Sequence, residues 1–173
     1  MKLITNLGGA DSPARTRAPE RGTFRVGAVQ TAWHRDAGEH RATLTAGVEL
    51  AARAGAQLVC LQELTLSPYF AIVPDGAEAL GVAAEPLPGG PTHAFAAELA
   101  ARFGLVVHAS LFEAAGEAEH PSVGAVPAGG GGFNTAIAVG PDGELLARTR
   151  KLHIPVTAGY YEDRYFAPGD SGY

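Results

Sequence analysis

The stretch FRVGAVQTAWHRDAGEHRATLTAGVELAARAGAQLVCL, Phe24 to Leu61, decides the fold. It opens on the short apolar run Phe24-Arg25-Val26-Gly27-Ala28-Val29-Gln30, which suits a strand near 24–30. Asp36 with Glu39 three positions on resembles a capping box. Leu44, Val48, Ala51 and Ala52 then recur at helical spacing until Gly55 closes the segment, predicting a helix near 36–54. Leu58-Val59-Cys60-Leu61 is a second compact apolar run, a strand near 57–62. Strand, helix and strand at this spacing read as a right-handed crossover between parallel neighbours, so the expected class is α/β with a buried parallel sheet.

Outward from this unit the pattern continues. Residues 64–91 form a long connection rich in Pro and Gly, of the kind that is functional or hides a short helix, and it follows a strand's C-terminal end, where sites in α/β sheets collect. Phe95, Leu99 and Phe103, with Gly104 as stop, predict a helix over 92–103, and Leu105 to Phe112 a strand over 105–112. Residues 114–132 end in four glycines and read as a loop; no Lys-Ser/Thr follows, so a phosphate cradle is not expected. Strands over 133–139 and 144–150 flank Gly140-Pro141-Asp142-Gly143, a hairpin turn. Residues 5–23 carry almost no apolar side chain, so 1–23 is expected to be a flexible extension and 24–173 the domain.

Composition narrows the function. The chain has 173 residues, 46% hydrophobic, with 13 Lys and Arg against 18 Asp and Glu, enough apolar material for one domain. A net charge of -5 without a basic block gives no electrostatic footprint for nucleic acid. No apolar run approaches the roughly 18 residues of a membrane span, and the N-terminus has no stretch resembling a signal peptide, so a cytoplasmic protein without a membrane partner is expected. One cysteine, Cys60, excludes a disulfide framework. The histidines His34, His40, His93, His108, His120 and His153 show no zinc-site spacing, so no metal is expected. Ser67 and Ser110 lack the Gly-x-Ser-x-Gly context of a serine hydrolase.

Glu63 ends the second strand, where partial desolvation would raise its pKa and suit it to general-base work; the other reading is a solvated strand-end acid. Lys151 ends the hairpin's second strand, where it could donate to a developing oxyanion or be a plain surface charge. Together with their surroundings they say more. Leu61-Gln62-Glu63-Leu64-Thr65-Leu66-Ser67-Pro68-Tyr69-Phe70, then Arg150-Lys151-Leu152-His153-Ile154-Pro155, then Gly159 to Asp170 with Glu162, resemble the nitrilase superfamily of carbon-nitrogen hydrolases. Within it the segments look most like the N-carbamoylputrescine amidase branch, which belongs to polyamine biosynthesis.

That resemblance implies the N-terminal part of an αββα sandwich, oligomeric when whole, which hydrolyses non-peptide C–N bonds through a Glu-Lys-Cys thioester route without cofactor or metal. Glu63 would be the base and Lys151 the oxyanion donor, with Glu162 and His153 in support. The substrate would be a small carbamoyl, amide or nitrile compound. Tyr69 and Phe70 belong to an aromatic group that would line the pocket or pack the loops, and Glu113 would suit a cationic amine substrate.

The family's nucleophilic cysteine lies beyond the residue matching Tyr173, so none is expected among these residues. In a continuous strand Leu61 and Glu63 share one face and Cys60 takes the other, which directs Cys60 away from the base. The chain is therefore expected to be an incomplete domain, inactive alone, with unpaired sheet edges. The alternative is a non-catalytic binding or regulatory module that has lost its nucleophile.

Overall fold

A computed structural model describes residues 1–6, 20–116 and 131–170. Most of the expected extension and most of the 114–132 loop lie outside these. The elements follow the expected order: β1 (Val26–Ala28), α1 (Ala37–Arg53), β2 (Leu58–Cys60), α2 (Gly76–Ala79), α3 (Pro91–Phe103), β3 (Val106–Ala114), β4 (Gly132–Val139) and β5 (Leu145–Arg150). Two single 3₁₀ turns, Phe70–Ile72 and Glu162–Arg164, and the short α2 are additions; α2 and the first turn occupy the long connection after β2.

Asp36 caps α1 as expected, its Oδ1 accepting the Glu39 N–H at 2.7 Å. The helix α3 starts differently. Gly90 at its N-cap has no side chain, and the Glu85 carboxylate takes over, accepting from Thr92 N at 2.7 Å and Thr92 Oγ1 at 2.8 Å. Gly104 ends α3 in the left-handed conformation at φ 65°.

The five strands form one sheet in the order β1-β2-β3-β4-β5, with β1, β2 and β3 parallel and β3, β4 and β5 antiparallel. The helices α1 and α3 cover the same face. There Val59, Leu61, Val107, Ala109, Leu111, Ile137 and Val139 meet Leu44, Val48, Phe95 and Leu99. Close approach of α1 to β1 requires glycine: a Cβ on Gly47 would lie 2.6 Å from Val29 Cγ1. Each fully buried side chain of this layer contributes about 1.5–3 kcal/mol relative to exposure. The other face carries Cys60, His108, Ser110, Phe112 and Asn134, by the alternation of strand side chains and the register Cys60↔His108 and Phe112↔Asn134.

A second apolar cluster, Leu64, Phe70, Ala71, Phe112 and Phe166, closes the end of the sheet where β2 and β3 finish. Among the described residues β1 and β5 end the strand order, with Val26 and Leu146 exposed. Among the described residues no helix is long and apolar enough to cross a membrane.

The strands β1 and β2 are shorter than the expected 24–30 and 57–62. Ladder bonds continue for one residue, from Val29 N to Cys60 O and from Leu61 N to His108 O, both 2.9 Å. The next bond of the β2 ladder should come from residue 63; it comes instead from Thr65 N to Ser110 O, at 2.8 Å. Two extra residues are thus inserted before pairing resumes, and Leu64 turns the chain at φ 50°.

Candidate active site

The insertion positions Glu63. Had the strand run on, Glu63 would share the helix-covered face with Leu61. Because the chain bulges, the Glu63 carboxylate turns to the opposite face, where Asn134 Nδ2 donates to its Oε1 at 2.6 Å. The bulge is pinned from three sides. Leu64 N donates to Ser110 Oγ at 3.2 Å, Ser110 N donates to Thr65 Oγ1 at 3.0 Å, and the buried ring of His40 bonds the Thr65 carbonyl through Nε2 at 2.9 Å. The Ser110 hydroxyl donates in turn to Asn134 Oδ1 at 3.5 Å.

Lys151 arrives from β5 on the same face. Its N–H donates to the Asn134 carbonyl at 2.8 Å, and its own carbonyl accepts from Gly169 N at 2.8 Å. Residue 169 must be glycine here, since a Cβ would meet the Arg150 carbonyl oxygen at 2.3 Å. Lys151 Nζ lies 2.7 Å from Glu162 Oε2 and 3.5 Å from Glu63 Oε1. The other oxygen of Glu162 accepts the Tyr69 hydroxyl. The structure therefore brings Glu63, Lys151, Glu162 and Tyr69 into one polar cluster.

Its electrostatics follow from this geometry. Burial alone would lower the Lys151 pKa, but the bond to Glu162 and the charge of Glu63 outweigh it, and the ammonium is held above its ordinary value. The Tyr69 phenol is pushed up by burial, by its bond to Glu162 and by the charge of Glu63, so it remains a neutral donor. A cation fixed between two carboxylates, with one carboxylate open to solvent, can receive a proton at Glu63 and stabilise an oxyanion at Lys151. Among the described residues no group of three or more His, Cys, Asp or Glu side chains could hold a metal ion.

Several expectations need correction. Glu63 is more open than a strand-end position suggests: its side chain is 44% exposed, because the bulge lifts it off the sheet. Glu113 does not face the site. Alternation along β3 places it on the helix-covered side, 2% exposed, where Arg150 holds it at 2.6 Å, Arg148 at 3.2 Å and Thr135 Oγ1 at 2.6 Å. Phe133 stacks on the Arg150 guanidinium at 3.8 Å, and Arg150 Nη1 reaches Asp170 at 3.0 Å. A carboxylate so saturated cannot attract a cationic substrate. Phe70 is fully buried against Phe112, Tyr165 and Phe166 and packs the loops, whereas Tyr69 beside it enters the site. His153 is exposed, two residues past Lys151.

Cys60 is kept from Glu63 by distance rather than by face. Face parity does not separate it from Glu63, since both lie on the side opposite the helices. Their separation is along the strand: Cys60 pairs with His108, two residues before Ser110, a rise of about 7 Å. Burial raises the Cys60 thiol pKa, the reverse of what activates a nucleophile. The sequence reading assigns no site role to Asn134, Ser110, Thr65 or His40; an amide inside a β4 that is apolar save for Thr135 is the available signal.

The sequence profile of the carbon-nitrogen hydrolases matches residues 25–173. The N-carbamoylputrescine amidases of Solanum lycopersicum and Solanum tuberosum are 35% and 34% identical to this chain over 148 residues, which are 86% of it and 44% of each relative. The chain thus spans less than half the length of these curated relatives. Among solved structures, a carbon-nitrogen hydrolase from Helicobacter pylori superposes with a TM-score of 0.64 at 29% identity, covering 86% of this chain and 46% of that one.

Proposed function

The chain belongs to the carbon-nitrogen hydrolase family, and on that premise we propose that it supplies the base and the oxyanion donor of an amidase acting on carbamoylated amines. The observation that carries the reading is Lys151 Nζ set 3.5 Å from Glu63 and 2.7 Å from Glu162, inside the segments that match the family. The preference for carbamoyl amines rests on the similarity to N-carbamoylputrescine amidases, with amides and nitriles as the neighbouring classes.

In this reading Glu63 takes the proton of a cysteine thiol as sulfur adds to the substrate carbonyl, and Lys151 donates to the oxyanion that forms. Collapse breaks the C–N bond, and Glu63 returns its proton to the departing ammonia. Water then adds to the thioester, again losing a proton to Glu63. The thiol is regenerated and a carbamic acid is released, which breaks down to the amine and carbon dioxide. Glu162 keeps Lys151 in place, and no cofactor enters.

The thiol is assigned to a residue outside these 173, because Cys60 sits about two strand residues below the cluster and is pushed away from thiolate. The isolated chain is then inactive. It is to be assayed for ammonia release from carbamoyl amines, amides and nitriles, alone and joined to the C-terminal half of a relative that carries its cysteine. Turnover only in the joined form, lost with Glu63→Gln or Lys151→Met, is expected. Carbamoyl amines ranking poorest would refute the substrate class. Tight binding of carbamoyl amines by the chain alone, with no turnover in the joined form, would favour a non-catalytic module.

A further inference from the structure

Glu162 has two carboxylate oxygens and two partners on different segments. Oε2 accepts from Lys151, and Oε1 accepts from Tyr69, which lies 93 positions earlier in the chain. Glu162 is nearly fully buried, at 4% side-chain exposure, so bulk water is not at hand to replace either donor. Contacts through Tyr161, the Tyr165 hydroxyl and the Tyr165 ring hold the two segments together around this bond. Tyr161 N donates to the Ala71 carbonyl at 2.7 Å. The Tyr165 hydroxyl accepts from Gly76 N at 2.6 Å and reaches the Val73 and Pro74 carbonyls at 2.6 and 2.7 Å. Phe70, the neighbour of Tyr69, packs edge-on to the Tyr165 ring at a centroid distance of 5.0 Å. The position of the phenol is thereby fixed before any substrate enters.

We propose that Tyr69 is a positioning residue that, by holding one oxygen of Glu162, fixes the other against Lys151 and so sets the ammonium beside Glu63. Tyr69 acts through Glu162 and need not touch substrate. The role rests on the reading of Lys151 as the oxyanion donor, but its structural content is testable without any reaction. If the phenol only packs the loop, removing its oxygen weakens the fold and leaves the Lys151 ammonium in the same environment. If it positions Glu162, the ammonium loses the fixed partner that keeps it protonated.

The chain has two lysines, Lys2 and Lys151, so lysine chemistry reports on one site residue with one exposed internal reference. With ¹³C-labelled lysine, the Cε resonances of the 173-residue chain are followed against pH in the wild type, Tyr69→Phe, Glu162→Gln and the double variant. Acetylation of Lys151 relative to Lys2 at pH 8 gives a second measure, away from alkaline conditions. We expect Tyr69→Phe to move the Lys151 midpoint down by roughly half a pH unit or more and to raise its acetylation relative to Lys2. In the Glu162→Gln background Tyr69→Phe should add nothing.

An unchanged Lys151 midpoint in a folded Tyr69→Phe chain would overturn the proposal, as would an equal effect with and without Glu162. A Tyr69→Phe chain that fails to fold would assign the phenol to the fold instead. None of these readouts depends on hydrolysis. Failure of the joined enzyme to cleave C–N bonds would therefore remove the catalytic reading and leave the Tyr69–Glu162–Lys151 relationship standing or falling on its own.

Discussion

Asn134 donates its side-chain amide to Glu63 at 2.6 Å, and its backbone carbonyl accepts the Lys151 N–H at 2.8 Å. One residue of β4 therefore sets the spacing between Glu63 and Lys151. A hydrogen bond to a charged group contributes about 1.5–3 kcal/mol, less where solvent competes, and Glu63 is half open. Asn134→Ala should lower turnover of the joined enzyme about tenfold with little change in KM, since the amide orients the base rather than the substrate. Asn134→Asp should do more, because two carboxylates at this separation cannot both ionise; the acid limb of the pH–rate profile should move up. An unmoved limb would show that Asn134 does not govern the ionisation of Glu63.

The Glu113 and Arg150 side chains are 2% and 0% exposed and paired at 2.6 Å, on the opposite face from the site. Breaking a buried pair costs about 3–5 kcal/mol where the remaining charge is stranded, and less here because Arg150 keeps Asp170 at 3.0 Å. Glu113→Gln should lower the unfolding free energy measured in urea by about 1–3 kcal/mol, and Glu113→Asp by less. In the joined enzyme, any Glu113 variant that still folds should show an unchanged KM for a cationic carbamoyl amine. A raised KM without loss of stability would return Glu113 to the pocket.

These two residues show what can be read in advance. The cap at Asp36 and Glu39, the hairpin around Gly140–Gly143 and the period of α3 are local, and each formed where the sequence places it. Glu63, Lys151 and Glu162 were singled out by motif, and the structure brings them together. The aim of Glu63 was not legible, because period-two reading assumes an unbroken strand, and only the partner bonds of Leu61 and Thr65 on β3 reveal the two-residue insertion. Glu113 was misplaced for a related reason. Its neutralising partners come from β5, and their register is fixed by pairing across β4 rather than by anything near residue 113.

Alkaline stability follows from Tyr69 and Lys151. Both have folded pKa values raised above their ordinary ones, near 10 and 10.5. Each contribution to stability is therefore fully present below that pH and is lost as pH rises from there, while the unfolded chain releases protons that the folded chain retains. Urea unfolding at pH 9 and pH 11 should show a marked fall for the wild type and a smaller fall for Tyr69→Phe and Lys151→Met. Equal falls in all three would mean that neither group is coupled to folding.

Cys60 gives the sharpest separation between this chain's own thiol and the one the proposed mechanism uses. It lies level with His108, while the cluster begins two residues further along β3 at Ser110, and burial raises its pKa. A thiol held away from its anion reacts slowly, since the thiolate is the nucleophile. Iodoacetamide should modify Cys60 at pH 8 more slowly than a free thiol, and substrate should not protect it. In the joined enzyme Cys60→Ala should leave kcat within about twofold, whereas replacing the cysteine of the added half should abolish turnover. If Cys60→Ala alone abolished turnover while the chain remained folded, the nucleophile would be Cys60. The bulge at Glu63 would then have to bring the base about 7 Å down the strand toward it.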